Sequence, residues 1–410
     1  MRTGRPISES MRKGIEQSSW IRQMFEEGNR LKAKFGPDEV FDFSLGNPSV
    51  PPPSKFRDVL VQVASESSGG DHRYMTNTGL ESTRRFLADQ ESKLHGGREF
   101  DINHIVMTCG AAGGLNIFLR SVLDEGDEVI LLSPYFPEYV FYIGNFGGVV
   151  VQVPTDENFQ PDLDAIAKAL TPKTRAIIYN SPNNPTGVVY DDDRLVGLGK
   201  LVEKHAEEVG RPVYLVSDEP YRKLRYDDGA YSSVIENCKY GVVVTSFSKD
   251  LGLAGERIVF VLLNPDSPGV DELFSALAIA TRTLGFVNAP ALMQRVLPLC
   301  GELSVDVEIY RKNRDLIFEG LSKAGYKMTE PKGAFFLFPR VPGGDDVAFT
   351  EALREHRVLV VPGRGFGTPG HIRISYAVPQ EVIERAIPLF AETLREYLAS
   401  SEEAKSQSRG

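Results

Sequence analysis

A lysine sits in the turn Ser246-Phe-Ser-Lys249-Asp-Leu-Gly-Leu-Ala-Gly-Glu-Arg257, between apolar runs at Val242–Thr245 and Ile258–Leu263. Placing an ammonium between two core strands is costly unless it is paired or made neutral. One chemical route is condensation of the amine with an aldehyde, giving a Schiff base. Alone, the turn is as well explained as a surface loop whose glycines permit the bend. Other segments bear on the choice. Asp218-Glu-Pro-Tyr221 puts a carboxylate at the end of an apolar run, with a phenol three residues on; such a carboxylate is costly without a cationic partner. Asn183-Asn184-Pro185-Thr186-Gly187 is a rigid polar loop presenting an amide. Gly110-Ala111-Ala112-Gly113-Gly114 is a turn of small residues, whose backbone N–H groups can converge on an anion such as phosphate. Pro134-Tyr135-Phe136-Pro137 offers an aromatic face on which a flat ring can stack.

These segments share a position. Each follows a short apolar, β-branched run: His104–Cys109, Glu128–Ser133, Arg175–Asn180, Val213–Ser217 and Val242–Phe247. Further runs lie at Val149–Pro154 and Ile258–Leu263, and helix-compatible stretches intervene at Gly114–Leu123, Pro137–Asn145, Asp162–Leu170 and Asp191–His205. The alternation predicts an α/β fold around a mostly parallel sheet, where ligands bind beyond the carboxyl ends of the strands. The strand ends thus offer a phosphate nest, an aromatic face, an amide, a carboxylate with a phenol, and a lysine. Together they describe a planar, phosphorylated, pyridine-type aldehyde, whose nitrogen needs the carboxylate and whose aldehyde needs the lysine.

The bulk properties narrow the alternatives. The 410 residues carry a net charge of −10, which argues against a nucleic-acid surface. Cys109, Cys238 and Cys300 are too sparse and scattered for a disulfide framework and suggest a reducing compartment. The six histidines show no metal-ligand spacing, so no metal is expected. There is no long apolar span for a membrane and no apolar leader at the start, so the cytoplasm is the default location. An amphipathic pattern predicts a helix from about Glu16 to Ala33. The expected organisation is an N-terminal arm and part of a small domain over 1–54, a large cofactor-binding domain over 55–290, a small domain over 291–400 and a flexible polar tail over 401–410. A closing helix is expected from about Gln380 to Leu398.

In Ser246-Phe-Ser-Lys249…Arg257 and Asn183-Asn-Pro-Thr-Gly187 followed by Asp218-x-x-Tyr221, the sequence resembles the class I/II aminotransferases of the fold-type I pyridoxal-phosphate enzymes, over about residues 16–398. The resemblance implies a seven-stranded, mostly parallel sheet between helices, plus a smaller α+β domain built from both chain ends. It implies pyridoxal 5'-phosphate as cofactor and a ping-pong exchange between an amino acid and a 2-oxo acid. Lys249 would carry the Schiff base and shuttle the proton, Asp218 would pair with the ring nitrogen, and Tyr221 and Asn184 would bond the ring's phenolic oxygen. Gly110, Ala111, Ala112, Ser246 and Arg257 would hold the phosphate, and Phe136 would stack on the ring. Arg373, in His371-Ile-Arg-Ile-Ser375, would clamp the substrate α-carboxylate, with Gly46 lining the substrate side. Tyr74 would reach the phosphate of a neighbouring subunit, which implies a homodimer with shared sites. A β-C–S lyase on the same scaffold would use the same lysine and aspartate. A DNA-binding regulator is not expected, since the N-terminal stretch shows no helix-turn-helix pattern and no basic surplus. The chain departs from the pattern in Ala111 and Ala112, where relatives often carry Ser, Thr or Lys, in Val259, and in Phe136 in place of Trp or Tyr. Arg282 and Arg364 are the cations available for a second substrate carboxylate.

Overall fold

In the computed structural model, residues 6–16, 20–227, 229 and 231–407 are described. The strands in chain order are β1 (Phe41–Asp42), β2 (Ile105–Cys109), β3 (Glu128–Ser133), β4 (Val149–Pro154), β5 (Thr174–Asn180), β6 (Tyr214–Glu219), β7 (Gly241–Ser246), β8 (Ile258–Leu263), β9 (Phe336–Leu337), β10 (Val358–Leu359), β11 (Val361–Pro362) and β12 (Ile372–Ser375). Seven of them make one sheet in the order β2-β8-β7-β6-β5-β3-β4. Each position of β6, β7 and β8 is buried, because helices cover both faces of the sheet. Burial of each Val, Ile or Leu contributes about 1.5–3 kcal/mol, so these central strands anchor the large domain.

The sheet is parallel except for β8, which runs antiparallel to β7 and β2. Eleven residues separate Ser246 from Ile258, too few for the crossover that a parallel pair requires. The lysine turn therefore lies at the sheet's end as the link of a returning pair. The helix Gly110–Val122 seats tightly on the sheet, since a Cβ on Gly114 would come within 2.9 Å of Val244 Cγ1. That close approach brings the start of the helix down to the strand ends.

A second core gathers around Phe43, Tyr310, Phe335, Phe336, Ile374, Tyr376 and Phe390. Here β12 pairs antiparallel with β11 and β9, and β1 pairs parallel with β10 through Phe41 and Val358. The two ends of the chain thus build the smaller α+β part together. Helix Ala291–Cys300 packs Met293, Val296, Leu297 and Cys300 into the first core, so the change of core comes after Cys300, later than the 290 read from composition. The amphipathic helix expected over Glu16–Ala33 occupies Trp20–Phe35, with residues 17–19 outside those described. The closing helix runs from Gln380 to Gln407, beyond the expected Leu398, because the polar stretch after it continues the helical hydrogen bonding. Residues 408–410 of the expected tail lie outside those described. Among the described residues no helix is long and apolar enough to cross a membrane.

The two cores meet at the loop Asn183–Gly187. Lys332 and Gly333 both donate their backbone N–H to the Gly187 carbonyl, at 2.9 and 3.0 Å. Gly187 has φ 72°, and a Cβ there would meet Pro331 and, at 2.5 Å, the Phe336 carbonyl. Both the left-handed backbone and the close approach demand glycine. Gly187→Ala is expected to lower unfolding stability by about 2 kcal/mol or more, from strain plus the lost docking contact, read as a lower urea midpoint.

Candidate active site

Beyond the carboxyl ends of β2, β3, β5, β6 and β7 lies a cavity of about 320 Å³. Eleven of the thirteen residues singled out in the sequence line it: Gly46, Ala111, Ala112, Phe136, Asn184, Asp218, Tyr221, Ser246, Lys249, Arg257 and Arg373. The other two stand apart. Gly110 sits behind the wall with φ 79°, and a Cβ there would run into the Arg257 guanidinium. Tyr74 is 88% exposed and does not reach this chain's own cavity.

Lys249 occupies the short helix Phe247–Asp250, started by Ser246, whose Oγ accepts from the Ser248 N–H at 3.1 Å. Its Nζ donates to the Gly46 carbonyl at 2.6 Å. Burial lowers the amine's pKa to about 8, and the nearby positive charges of Arg373 and Arg257 add to the effect.

Asp218 lies at the end of β6, and the strand's alternation turns Glu219 the other way. Glu219 is held there by Ser217 Oγ and Tyr231 OH, at 2.7 and 2.6 Å. Asp218 Oδ2 accepts from Tyr139 OH at 2.5 Å, while Oδ1 is buried with no hydrogen-bond partner. Burial pushes its pKa up to about 7, opposed by the Tyr139 hydrogen bond and reinforced by Glu219. Tyr221 stands edge-on to Phe335 and Phe336, and burial raises its phenol's pKa.

Arg373, in the centre of β12, is 1% exposed. It lies between the rings of Phe336 and Phe366, at 4.8 and 4.9 Å from their centroids. Its Nη1 donates to Asn184 Oδ1 at 3.0 Å and its Nη2 to the Ser44 carbonyl at 2.5 Å. Nε has no partner, and no carboxylate within the described residues pairs with it. Burial lowers its pKa to about 10. A fully buried guanidinium served only by neutral acceptors is an unfinished ion pair.

Hydrogen bonds tie these groups into one frame. Asn180 donates Nδ2 to the Asp218 carbonyl at 2.7 Å and accepts the Asn184 N–H at 2.6 Å. The line therefore runs from Tyr139 through Asp218, Asn180 and Asn184 to Arg373. Sequence reasoning missed Tyr139 and Asn180. Tyr139 falls in an aromatic-rich helix where residue type does not reveal which ring is bonded, whereas Asn180, a polar residue ending an apolar run, carried a usable signal. At the opposite end of the cavity, no side chain caps the N-terminus of helix Gly110–Val122, where Ala111 and Ala112 meet Ser246 and Arg257. Arg282 is exposed away from the cavity. Arg364 is bonded to the fully buried Asp346 carboxylate through Nε and Nη2, at 3.0 and 2.8 Å.

A model of the family described as aminotransferase class I and II matches residues 38–389. The chain belongs to the class I and II aminotransferases. These are pyridoxal-phosphate-dependent transaminases. It is 32% identical over 369 residues to the aspartate/prephenate aminotransferase of Thermus thermophilus, covering 87% of this chain and 91% of that one. The structure of an aminotransferase from Eubacterium rectale superposes with a TM-score of 0.92 at 38% identity, covering 96% of this chain and 100% of that one. Thermus thermophilus aspartate aminotransferase with maleate superposes at 0.81 and 29% identity, covering 92% and 97%.

The residues of this aminotransferase fit the cofactor. The orphaned Asp218 Oδ1 is an acceptor awaiting an N–H, the uncapped helix start is a phosphate-type anion site, and the Lys249 amine loses its proton more readily than an ordinary lysine. The lowered amine pKa has a sign. Below pH 8 Lys249 is charged in folded and unfolded chains alike, and the folded state bears the full desolvation cost. Between pH 8 and the ordinary 10.5 the unfolded chain binds more protons, so stability rises with pH. Cofactor-free Lys249→Met is therefore expected to be more stable than the parent at pH 7, by up to about 3 kcal/mol, with the gap closing towards pH 10.5 in denaturant titrations.

Proposed function

We propose that this chain moves an amino group from an L-amino acid to a 2-oxo acid by a ping-pong sequence, as a cytoplasmic homodimer. The observation that carries this reading is that the buried Lys249 amine, its pKa lowered by burial, and the buried, carboxylate-free Arg373 guanidinium face one cavity. When bound, pyridoxal phosphate supplies an aldehyde for amine exchange and a conjugated ring that accepts the electron pair left by a breaking C–H bond.

The chain's own residues do the rest. Ala111 and Ala112, at the helix start backed by Gly110, offer N–H groups to the phosphate, and Ser246 and Arg257 add a hydroxyl and a planar fork. Asp218 holds a proton at the ring nitrogen, and Tyr139 fixes which of its oxygens is free to do so. Tyr221 and Asn184 would donate to the ring's phenolic oxygen, and Phe136 would present its face to the ring. Arg373 takes the substrate α-carboxylate in two hydrogen bonds and gains the opposite charge it lacks. Lys249 would hold the cofactor at rest, and its amine, once released without a proton, would take the proton from the substrate Cα. Gly46 holds that amine on the substrate side of the cavity. The exposure of Tyr74 suits a contact to the phosphate of a second copy.

Lys249→Ala is expected to bind the cofactor non-covalently yet lose transamination by several orders of magnitude; near-normal turnover would sink the reading. Arg373→Lys keeps the charge but loses the fork. It should raise the KM for the amino donor about 10–100-fold, and an unchanged KM for every donor would remove Arg373 from the substrate site.

A further inference from the structure

One of the two rings that enclose Arg373 is carried by a turn with an anchor of its own. The turn Gly363–Phe366 follows β11, whose Val361 pairs with Arg373 across the strands. The Gly363 N–H donates to the His371 carbonyl at 2.7 Å, which closes the turn back on β12. Phe366 is fully buried, with its ring centroid 4.9 Å from the guanidinium. The turn is tied to Asp346, the first residue of helix Asp346–Glu355. Asp346 Oδ2 accepts the backbone N–H of Arg364 at 2.7 Å, and Oδ1 accepts its Nε and Nη2 at 3.0 and 2.8 Å. The carboxylate is 0% exposed and the Arg364 side chain 43%. Burying a charge against a half-exposed partner stabilises little, and an apolar contact would hold the turn at less cost. What three charge-assisted bonds add is direction: they fix the backbone at Arg364 and hence where Phe366 points.

The same turn reaches the aromatic corner after β3. The Phe366 carbonyl accepts the Tyr135 N–H at 3.1 Å, and a Cβ on Gly367 would come within 2.9 Å of Tyr135 Cε1. Tyr135 precedes Phe136, which lines the cavity, whereas neither Asp346 nor Arg364 does. Resting on the reading of Arg373 as the clamp for the substrate carboxylate, we propose that Asp346 and Arg364 are positioning residues: by pinning the Gly363–Phe366 turn they hold the Phe366 ring against Arg373 and keep its guanidinium aimed at a carboxylate. A guanidinium enclosed by two rings is confined to one plane. Freeing one ring lets it tilt, and a two-bond fork does not survive the tilt. Arg364 thus serves the carboxylate that Arg373 binds without touching it.

The test uses the full-length holoenzyme and the variants Asp346→Asn, Arg364→Lys, Phe366→Leu, Arg373→Lys and the double variant of Asp346→Asn with Phe366→Leu. Propionate, a carboxylate without an amine, is titrated through the absorbance of the bound cofactor. KM and kcat are measured with the amino donor that the parent uses best. Asp346→Asn and Arg364→Lys should each weaken propionate binding and raise KM by about 3–10-fold, with kcat changed by less than about twofold. Asp346→Asn should add nothing to Phe366→Leu, since both act through one ring. Arg364→Lys alters a half-exposed side chain, so it decides should Asp346→Asn fail to fold. Parental propionate binding and KM in Arg364→Lys, with only a lower urea midpoint, overturn the proposal and leave the pair a purely structural one. Full additivity in the double variant overturns the route through Phe366. If the parent takes no propionate, or Arg373→Lys leaves its binding unchanged, the clamp reading falls and the proposal with it. If Arg373→Lys weakens propionate and Arg364→Lys does not, the proposal alone falls.

Discussion

Asp218, Lys249 and Arg373 share one cavity, and none of them has an ion-pair partner among the described residues. Burial is the largest influence on all three: it pushes Asp218 up to about 7, Lys249 down to about 8 and Arg373 down to about 10. Each is answered only by neutral partners, namely a phenol, a backbone carbonyl, and an amide with a second carbonyl. Charges left in this way are destabilising, and a protein keeps them where something else completes the pairs. A ring nitrogen and a substrate carboxylate are the completing groups in the function proposed here.

The rest of the architecture can be understood as what holds that arrangement against collapse. The buried strands β5 to β8 supply the surplus of apolar burial. Glycines at 114 and 187 let a helix and a loop approach closely enough to reach the strand ends. The hydrogen-bonded line from Tyr139 to Arg373 crosses from the large sheet to the small one, so the carboxylate and the guanidinium are set by a shared frame rather than by separate loops. Such pre-organisation matters because a buried charge free to reorient would find water or a nearby acid.

The large sheet was legible because its strands are covered on both faces and read as continuous apolar runs; all seven appear where the runs predicted. The chemistry was legible because a polar residue ending such a run has few structural excuses. The small sheets were harder, since β9 to β12 are two to four residues each and alternation over so short a span carries little signal. The antiparallel turn of β8 was implicit in the short link before it. The change of core after Cys300 was not, because an amphipathic helix does not say which core receives its apolar face. The pairing of Arg364 with Asp346 and the bond from Tyr139 to Asp218 join residues distant in sequence, and side-chain type alone does not select those partners.

The separation of Lys249 from Asp218 is as important as their presence. Had the two met, they would have formed a buried ion pair, raising the lysine's pKa and lowering the aspartate's. Instead the charges felt by Lys249 are the two arginines, which disfavour its protonated form, and those felt by Asp218 are the Tyr139 hydrogen bond and the like charge of Glu219. The amine stays available as a nucleophile and proton carrier, and the carboxyl stays available for a cation from outside the chain. Strand order enforces this. Lys249 follows β7 and Asp218 is the penultimate residue of β6, adjacent strands whose register pairs Asp218 with Val244, so the lysine turn begins beyond the level of the carboxylate. The sheet thus keeps apart two groups whose chemistry depends on not neutralising each other.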